Sequence, residues 1–247
     1  MDKAKQFELG LGPDPRLPFE FELKRSARRK TLEVRVASGN VSVRAPQYVS
    51  TAEIKKFLSE RSAWVQQKLS EQQTRLADMP VRTFDEGSPW PLMDSTLSLR
   101  IDIGSCGRCK AVDDILCVQL NQQKLINTDP KELIREQLEG WYRAQAQAIL
   151  LQKSQVFADN INKAFQEVRV RKTKTRWGHC TSKGVLQYNW LILLAPEAVV
   201  DYLVAHEVSH LKHFNHSRQF WQQVEQLCPD YLQHRKWLKN YGFSLWF

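Results

Sequence analysis

Val199-Val-Asp-Tyr-Leu-Val-Ala-His-Glu-Val-Ser-His-Leu-Lys-His-Phe-Asn-His216 decides how this chain is read. Val199, Val200, Leu203 and Val204 recur near helical spacing, which predicts a buried helix. His206, Glu207 and His210 then form H-E-x-x-H. On a helix, residues four apart lie one above the other on one face, so two imidazoles can share one Zn²⁺ at ~2.0–2.1 Å. Glu207 stands beside the first ligand, where its carboxylate reaches a water on the metal rather than the metal itself. Two ligands, a general base and room for a third ligand make the arrangement of a zinc peptidase.

A third histidine, His216, follows His210 by six residues, and His213 lies between them. Asn215 suits a chain reversal, because asparagine tolerates left-handed backbone geometry. A reversal there lets His216 fold back onto the metal. His213 competes for the same role, but at three residues past His210 it could remain on the helix and point elsewhere. His216 is therefore favoured, since a third ligand must approach from outside the helix that supplies the first two. The ligand interval is that of metzincins, which place glycine where this chain has His213 and need a methionine turn downstream. Met1, Met79 and Met93 all lie upstream, so the chain is not a metzincin in the strict sense. His234 falls in a charged helix and reads as surface. His179 is near enough in a loop to approach the site, but no spacing requires it.

Outward from this centre, 247 residues with 42 % hydrophobic composition allow one large or two small domains and exclude a disordered chain. No apolar run reaches the ~20 residues that span a bilayer. Five scattered cysteines argue against a disulfide framework and for a reducing compartment, so a cytoplasmic protein with no membrane partner is expected. Cys106-Gly-Arg-Cys109 lacks the partner pair that a second zinc site needs. The net charge of +9 keeps nucleic acid open as a partner.

The pattern along the chain is α+β. Residues 1–19 read as a loose lead-in. Leu32, Val34 and Val36, then Val41, Val43 and Ala45, alternate with polar residues around Ser38-Gly39-Asn40, which predicts a hairpin. Ser50-Thr-Ala-Glu53 is a capping box opening one long helix with a buried stripe of Ile54, Phe57, Leu58, Trp64, Val65 and Leu69, ended near Pro80. Leu97, Leu99, Ile101 and Ile103 alternate in a strand, and Ile115–Val118 is another. Asp129-Pro130 caps a helix carrying Leu133, Ile134, Leu138, Trp141, Tyr142, Ala148 and Ile149. Val168 and Val170 mark a short basic strand, 186–194 a second, and Pro196 starts the motif helix. The expected division is a β-rich N-terminal region with one long helix over 1–128, and a zincin-like, mostly helical domain over 129–247.

Arg176-Trp-Gly-His-Cys180, Leu186-Gln-Tyr-Asn-Trp190, Pro196, His206-Glu-Val-Ser-His210, Asn215-His-Ser217, Phe220-Trp221 and Pro229-Asp-Tyr231 together resemble the YgjP-like metallopeptidase family, predicted metal-dependent hydrolases related to the SprT and WLM zincins. The resemblance is strongest over 165–240 and extends to Arg25-Ser-Ala-Arg-Arg-Lys30 and the hairpin behind it. It implies zinc held by His206, His210 and His216, with Glu207 as base, and names no substrate. Where the family usually has serine, this chain has His179.

The remaining motif residues read more plainly. Trp177 and Gly178 suit a turn over a packed aromatic. Arg176 either stabilises a developing oxyanion or holds its loop by an ion pair. Cys180 reads as a buried hydrophobe. Tyr188–Trp190 reads as a strand near the motif helix, where an extended peptide can pair. Phe220, Trp221, Val224 and Leu227 read as the core face of the next helix. Arg169, Arg171, Lys172 and Lys174 form a basic run, either a solvated edge or, with Arg25, Arg28, Arg29 and Lys30, a weak nucleic-acid track. The expected function is zinc-dependent hydrolysis of a peptide or protein by a metal-activated water, with one Zn²⁺ per chain. The alternative is a nucleic-acid-associated module whose metal is mainly structural.

Overall fold

The structure, a computed structural model, describes residues 17–37, 39–77 and 82–247. Most of the expected lead-in, Ser38 of the hairpin turn and Pro80 lie outside them. Contacts divide the chain into two compact units, Met1–Met79 and Pro80–Phe247.

In the first unit, β1 (Phe21–Ser26), β2 (Glu33–Ala37) and β3 (Asn40–Pro46) form a sheet in the order β1-β3-β2. The hairpin pairs Val34 with Val43 and Val36 with Val41, as the alternation requires. Gly39 sits at φ +74°, which glycine adopts without strain. β1 adds in parallel to β3. Leu23, Val43 and Ala45 meet Ile54 and Leu58 in a small core. The capping box forms: Ser50 Oγ accepts from the Glu53 amide at 3.2 Å, and the Glu53 carboxylate accepts from the Ser50 amide at 2.9 Å.

The single long helix expected behind it is two helices, α1 (Thr51–Glu60) and α2 (Ser62–Ala77). Arg61 leaves helical geometry at φ −110°, ψ 8°, and its guanidinium lies over the Phe57 ring at 4.0 Å. The buried face nonetheless keeps its phase across this break, since Ile54, Leu58 and Val65 stand at helical spacing and are all buried. Val65 is buried as expected, while Trp64, also expected in the stripe, sits one position off that face and is 43 % exposed.

The second unit begins with β4 (Pro89–Leu92), β5 (Ser95–Gly104), β6 (Arg108–Val112) and β7 (Ile115–Asn121), in the order β4-β5-β7-β6. Leu97 and Leu99 are buried on β5, whereas Ile103, at the far end, is 63 % exposed. Behind the sheet runs α3 (Pro130–Asn160), capped by Asp129, whose carboxylate accepts from the Lys131 amide at 2.9 Å. Trp90, Leu116 and Val118 of the sheet share one core with Leu133, Leu138 and Tyr142 of α3. The Tyr142 hydroxyl donates to the Pro91 carbonyl at 2.6 Å. The sheet and α3 bury their apolar faces on each other, so the division expected between 128 and 129 crosses one core, and the unit boundary lies at Met79/Pro80.

A second sheet holds β8 (Glu167–Arg171), β9 (Gly178–Cys180) and β10 (Val185–Asn189), in the order β8-β10-β9. The strand expected over 186–194 ends at Asn189. There the side-chain amide donates to the Thr173 carbonyl at 3.0 Å and its oxygen accepts from the Leu191 amide at 3.2 Å. This turns Trp190–Leu194 into a fully buried 3₁₀ segment. α4 (Glu197–Ser209) starts just after Pro196, followed by α5 (Arg218–Leu227), α6 (Tyr231–Tyr241) and a 3₁₀ turn, Gly242–Leu245. Arg82 donates to the Ser244 and Trp246 carbonyls at 2.6 and 3.3 Å, fixing this last turn. With sheets concentrated in the N-terminal half and helices in the C-terminal part, the class is α+β. Among the described residues, no helix is long and apolar enough to cross a membrane.

Candidate metal centre

α4 is buried on nearly all sides: Val199, Val200, Leu203, Val204 and Val208 are each almost fully enclosed. Its last turn carries His206 and Glu207, and His210 forms its C-cap at φ −67°, ψ −17°. The chain then reverses, and His216 stands immediately before Ser217, the N-cap of α5. Ligand-capable atoms of His206, His210 and His216 all lie within 4.8 Å of one another. This is the grouping that the spacing of the three histidines anticipates.

The details fit a metal. His206 Nε2 and His216 Nε2 face each other at 3.2 Å. Two nitrogens on one tetrahedral ion at ~2.0–2.1 Å stand about 3.3 Å apart. His210 Nδ1 lies 2.9 Å from the His213 carbonyl. With Nδ1–H donating to that carbonyl, the Nε2 lone pair is left free for a cation, the usual outer support of a ligating histidine. His213 thus contributes a backbone oxygen, while its side chain is outside the cluster. Burial pushes the His206 imidazolium down to about 3, helped by the charges of His210, His216 and Arg235, and burial also lowers His210. Both imidazoles are therefore neutral near pH 7, the state that coordinates.

α5 supplies an aromatic wall. Phe220 stacks on His210 with ring centroids 4.4 Å apart, and Trp221 stacks on His216 at 5.7 Å. The spacing of 220, 221 and 224 had signalled only a core face. Phe220 and Val224 are indeed fully buried, but the aromatics also set the orientation of two imidazoles.

Glu207 is 4 % exposed and projects from α4 over β9. A Cβ placed on Gly178 would come within 2.6 Å of Glu207 Cδ and Cγ, so the missing side chain makes the space that the carboxylate occupies. Sequence reading assigned Gly178 to a turn; only the crossing of α4 over β9 reveals this use. Burial raises the Glu207 carboxyl to about 8, and the charge of Arg176 opposes that rise. Cys180 is half-buried on β9, its thiol pushed up to about 11 by burial and by Glu207. His179, also on β9, is exposed, and His234 is on α6; neither joins the cluster.

Arg176 is exposed in the loop between β8 and β9, where its carbonyl accepts from Thr173 Oγ1 at 2.5 Å. Tyr188 lies on β10, which has β8 on one side and β9 on the other. Its ladder is complete, so it cannot take a peptide strand as expected. Its hydroxyl instead meets Ser154 Oγ at 2.9 Å in the core. β9 is the edge strand beside Glu207.

The basic run is partly spent on internal partners. Arg169 pairs with Glu167, and Lys172 pairs with Glu139 while lying 5.5 Å over the Trp190 ring. Arg29 pairs with Glu33, and Arg25 donates to Val49 and Thr51. Cys106, Cys109 and Cys117 form no third-ligand grouping among the described residues.

A comparison with curated proteins gives no match. The sequence does match a family profile described as YgjP-like, metallopeptidase domain, over residues 30–241. That span covers most of the chain, including every residue of the histidine cluster, and the chain belongs to the YgjP-like metallopeptidase family.

Proposed function

We propose that the protein is a zinc-dependent peptidase, with His206, His210 and His216 holding one Zn²⁺ and Glu207 acting as general base. The observation that carries this reading is the convergence of three imidazoles beside a buried carboxylate. Zinc bound there would acidify a water and polarise a scissile carbonyl. Glu207 has one task that no neighbour shares: to take a proton on its carboxylate oxygen and return it to the leaving amine. Its enclosure raises its proton affinity toward neutrality, and a cation nearby draws it back down, which keeps the exchange close to balanced.

Arg176 is suited to stabilise negative charge developing on the substrate, since its own charge already acts on the Glu207 site. β9 offers an edge on which an extended peptide can add main-chain hydrogen bonds. Free cysteines throughout accord with a cytoplasmic setting.

Glu207→Gln tests the reading. Metal analysis should give one zinc per chain in wild type and variant alike. Hydrolysis of an unstructured protein such as casein should fall roughly 10²–10⁴-fold, because the amide fills the space but accepts no proton. Undiminished turnover in the variant would remove Glu207 from the mechanism. A fourth protein ligand in the zinc-loaded protein would favour the structural-metal alternative.

A further inference from the structure

We infer that a cavity of about 370 Å³ beside the histidine cluster is the subsite for an acidic side chain, Asp or Glu, of the peptide substrate. This rests on the peptidase reading above and extends it to substrate preference. The cavity is lined by Lys174 and Arg176 from the β8–β9 loop, and by Arg235 and Lys239 from α6. The lining contains no carboxylate. Among the described residues, none of these four cations forms an ion pair, in contrast to Arg169 and Lys172 a few positions away. Four like charges around one hollow repel one another, and an entering oxyanion relieves that repulsion.

The rest of the wall is mixed: Thr173, Thr175 and Tyr202 carry hydroxyls, and an aromatic side is apolar. Trp177, Phe243 and Trp246 line it, with Trp177 packed within 3.2 Å of where a Cβ on Gly242 would stand. Such a wall lowers the local dielectric and strengthens the pairing of a bound anion with the cations. It also accepts the aliphatic stem of an acidic side chain.

Two aromatic contacts join the cavity to the metal centre. Tyr202 lines the cavity and holds its ring 6.0 Å from His206. Arg235 lies 4.5 Å over Trp221, which stacks on His216. Trp177, on the cavity wall, leads directly into the β9 edge. A peptide on that edge has its neighbouring residue at the cavity. The cations surround a bounded hollow rather than a track, which suits one anionic group and not a polyanion backbone.

Equilibrium binding separates this from catalysis. The probe is a dye-labelled, amide-capped peptide with a central Glu, against its Gln twin, titrated into zinc-loaded Glu207→Gln protein by anisotropy. The Glu peptide should bind roughly tenfold tighter, and Lys174→Gln with Lys239→Gln should abolish that margin while leaving the Gln peptide unchanged. Equal affinity of the two peptides, or a margin surviving the double substitution, overturns the proposal. If inorganic phosphate binds competitively with the cavity variants' sensitivity while the Glu peptide shows no margin, the pocket takes phosphate and the carboxylate assignment is overturned. Since no turnover is measured, failure of peptide hydrolysis would count against the peptidase reading alone.

Discussion

The Glu207 carboxylate lies where a side chain on Gly178 would have to be. The glycine is needed for space, as its backbone takes no left-handed conformation. The Glu207 carboxylate and the strand are thereby locked together: the acid cannot be moved without disturbing β9, and β9 cannot gain a side chain without displacing the acid.

Gly178→Ala should therefore act on catalysis before stability. The added methyl meets Glu207 within its packed surroundings and shifts the carboxylate by a fraction of its length. A displacement near 1 Å costs about 100-fold in rate. Zinc content should stay at one per chain, since no ligand is touched. Turnover and metal analysis on the same preparation check this, and unchanged turnover would show that the site tolerates the shift.

The two candidates for the third ligand separate cleanly by substitution. His213→Ala keeps the backbone carbonyl that orients His210, so zinc affinity should change little. His216→Ala removes a nitrogen 3.2 Å from that of His206 and should weaken zinc by more than the ~10–100-fold expected for an outer partner. Competition with a chromophoric chelator measures both. The reverse order of effects would make His213 the ligand.

Chelation should loosen the molecule. A metal held at 100 times its dissociation constant stabilises by about 2.7 kcal/mol. For a unit of this size that corresponds to roughly 5–10 °C in Tm. Thermal melts with and without EDTA, and after zinc is restored, should show a reversible drop of that order. His216→Ala should already melt low and respond little to the chelator.

Nucleic acid, if retained, should be held weakly and only at low ionic strength. Arg169 and Lys172 are paired internally, leaving Arg171 and Lys174 as the main contacts of the basic run. Replacing Arg171 and Lys174 by Ala should flatten the salt dependence on duplex DNA by about two contacts' worth, and replacing Arg169 and Lys172 should do less. A gel-shift series across ionic strength decides between them.

Much of this was legible in sequence because it is local. Capping at Ser50 and Asp129, the hairpin register and the grouping of His206, His210 and His216 each depend on residues a few positions apart. What escaped depends on distant neighbours. The break at Arg61 is a single pair of dihedral angles inside a good helical pattern. The turn after Asn189 rests on Thr173, sixteen residues away, and a run of apolar residues reads equally well as strand or 3₁₀ segment. Gly178 gains its meaning only when α4 crosses β9.

Arg82 grips the carbonyls of Ser244 and Trp246 across more than 160 positions of chain. During synthesis the three histidines leave the ribosome before Phe243 and Trp246 do. The candidate ligands are thus made before the residues that close the cavity's aromatic side. A chain cut after Tyr241 would keep every histidine while losing Phe243, Trp246, the buried Leu245 and the clasp that Arg82 makes.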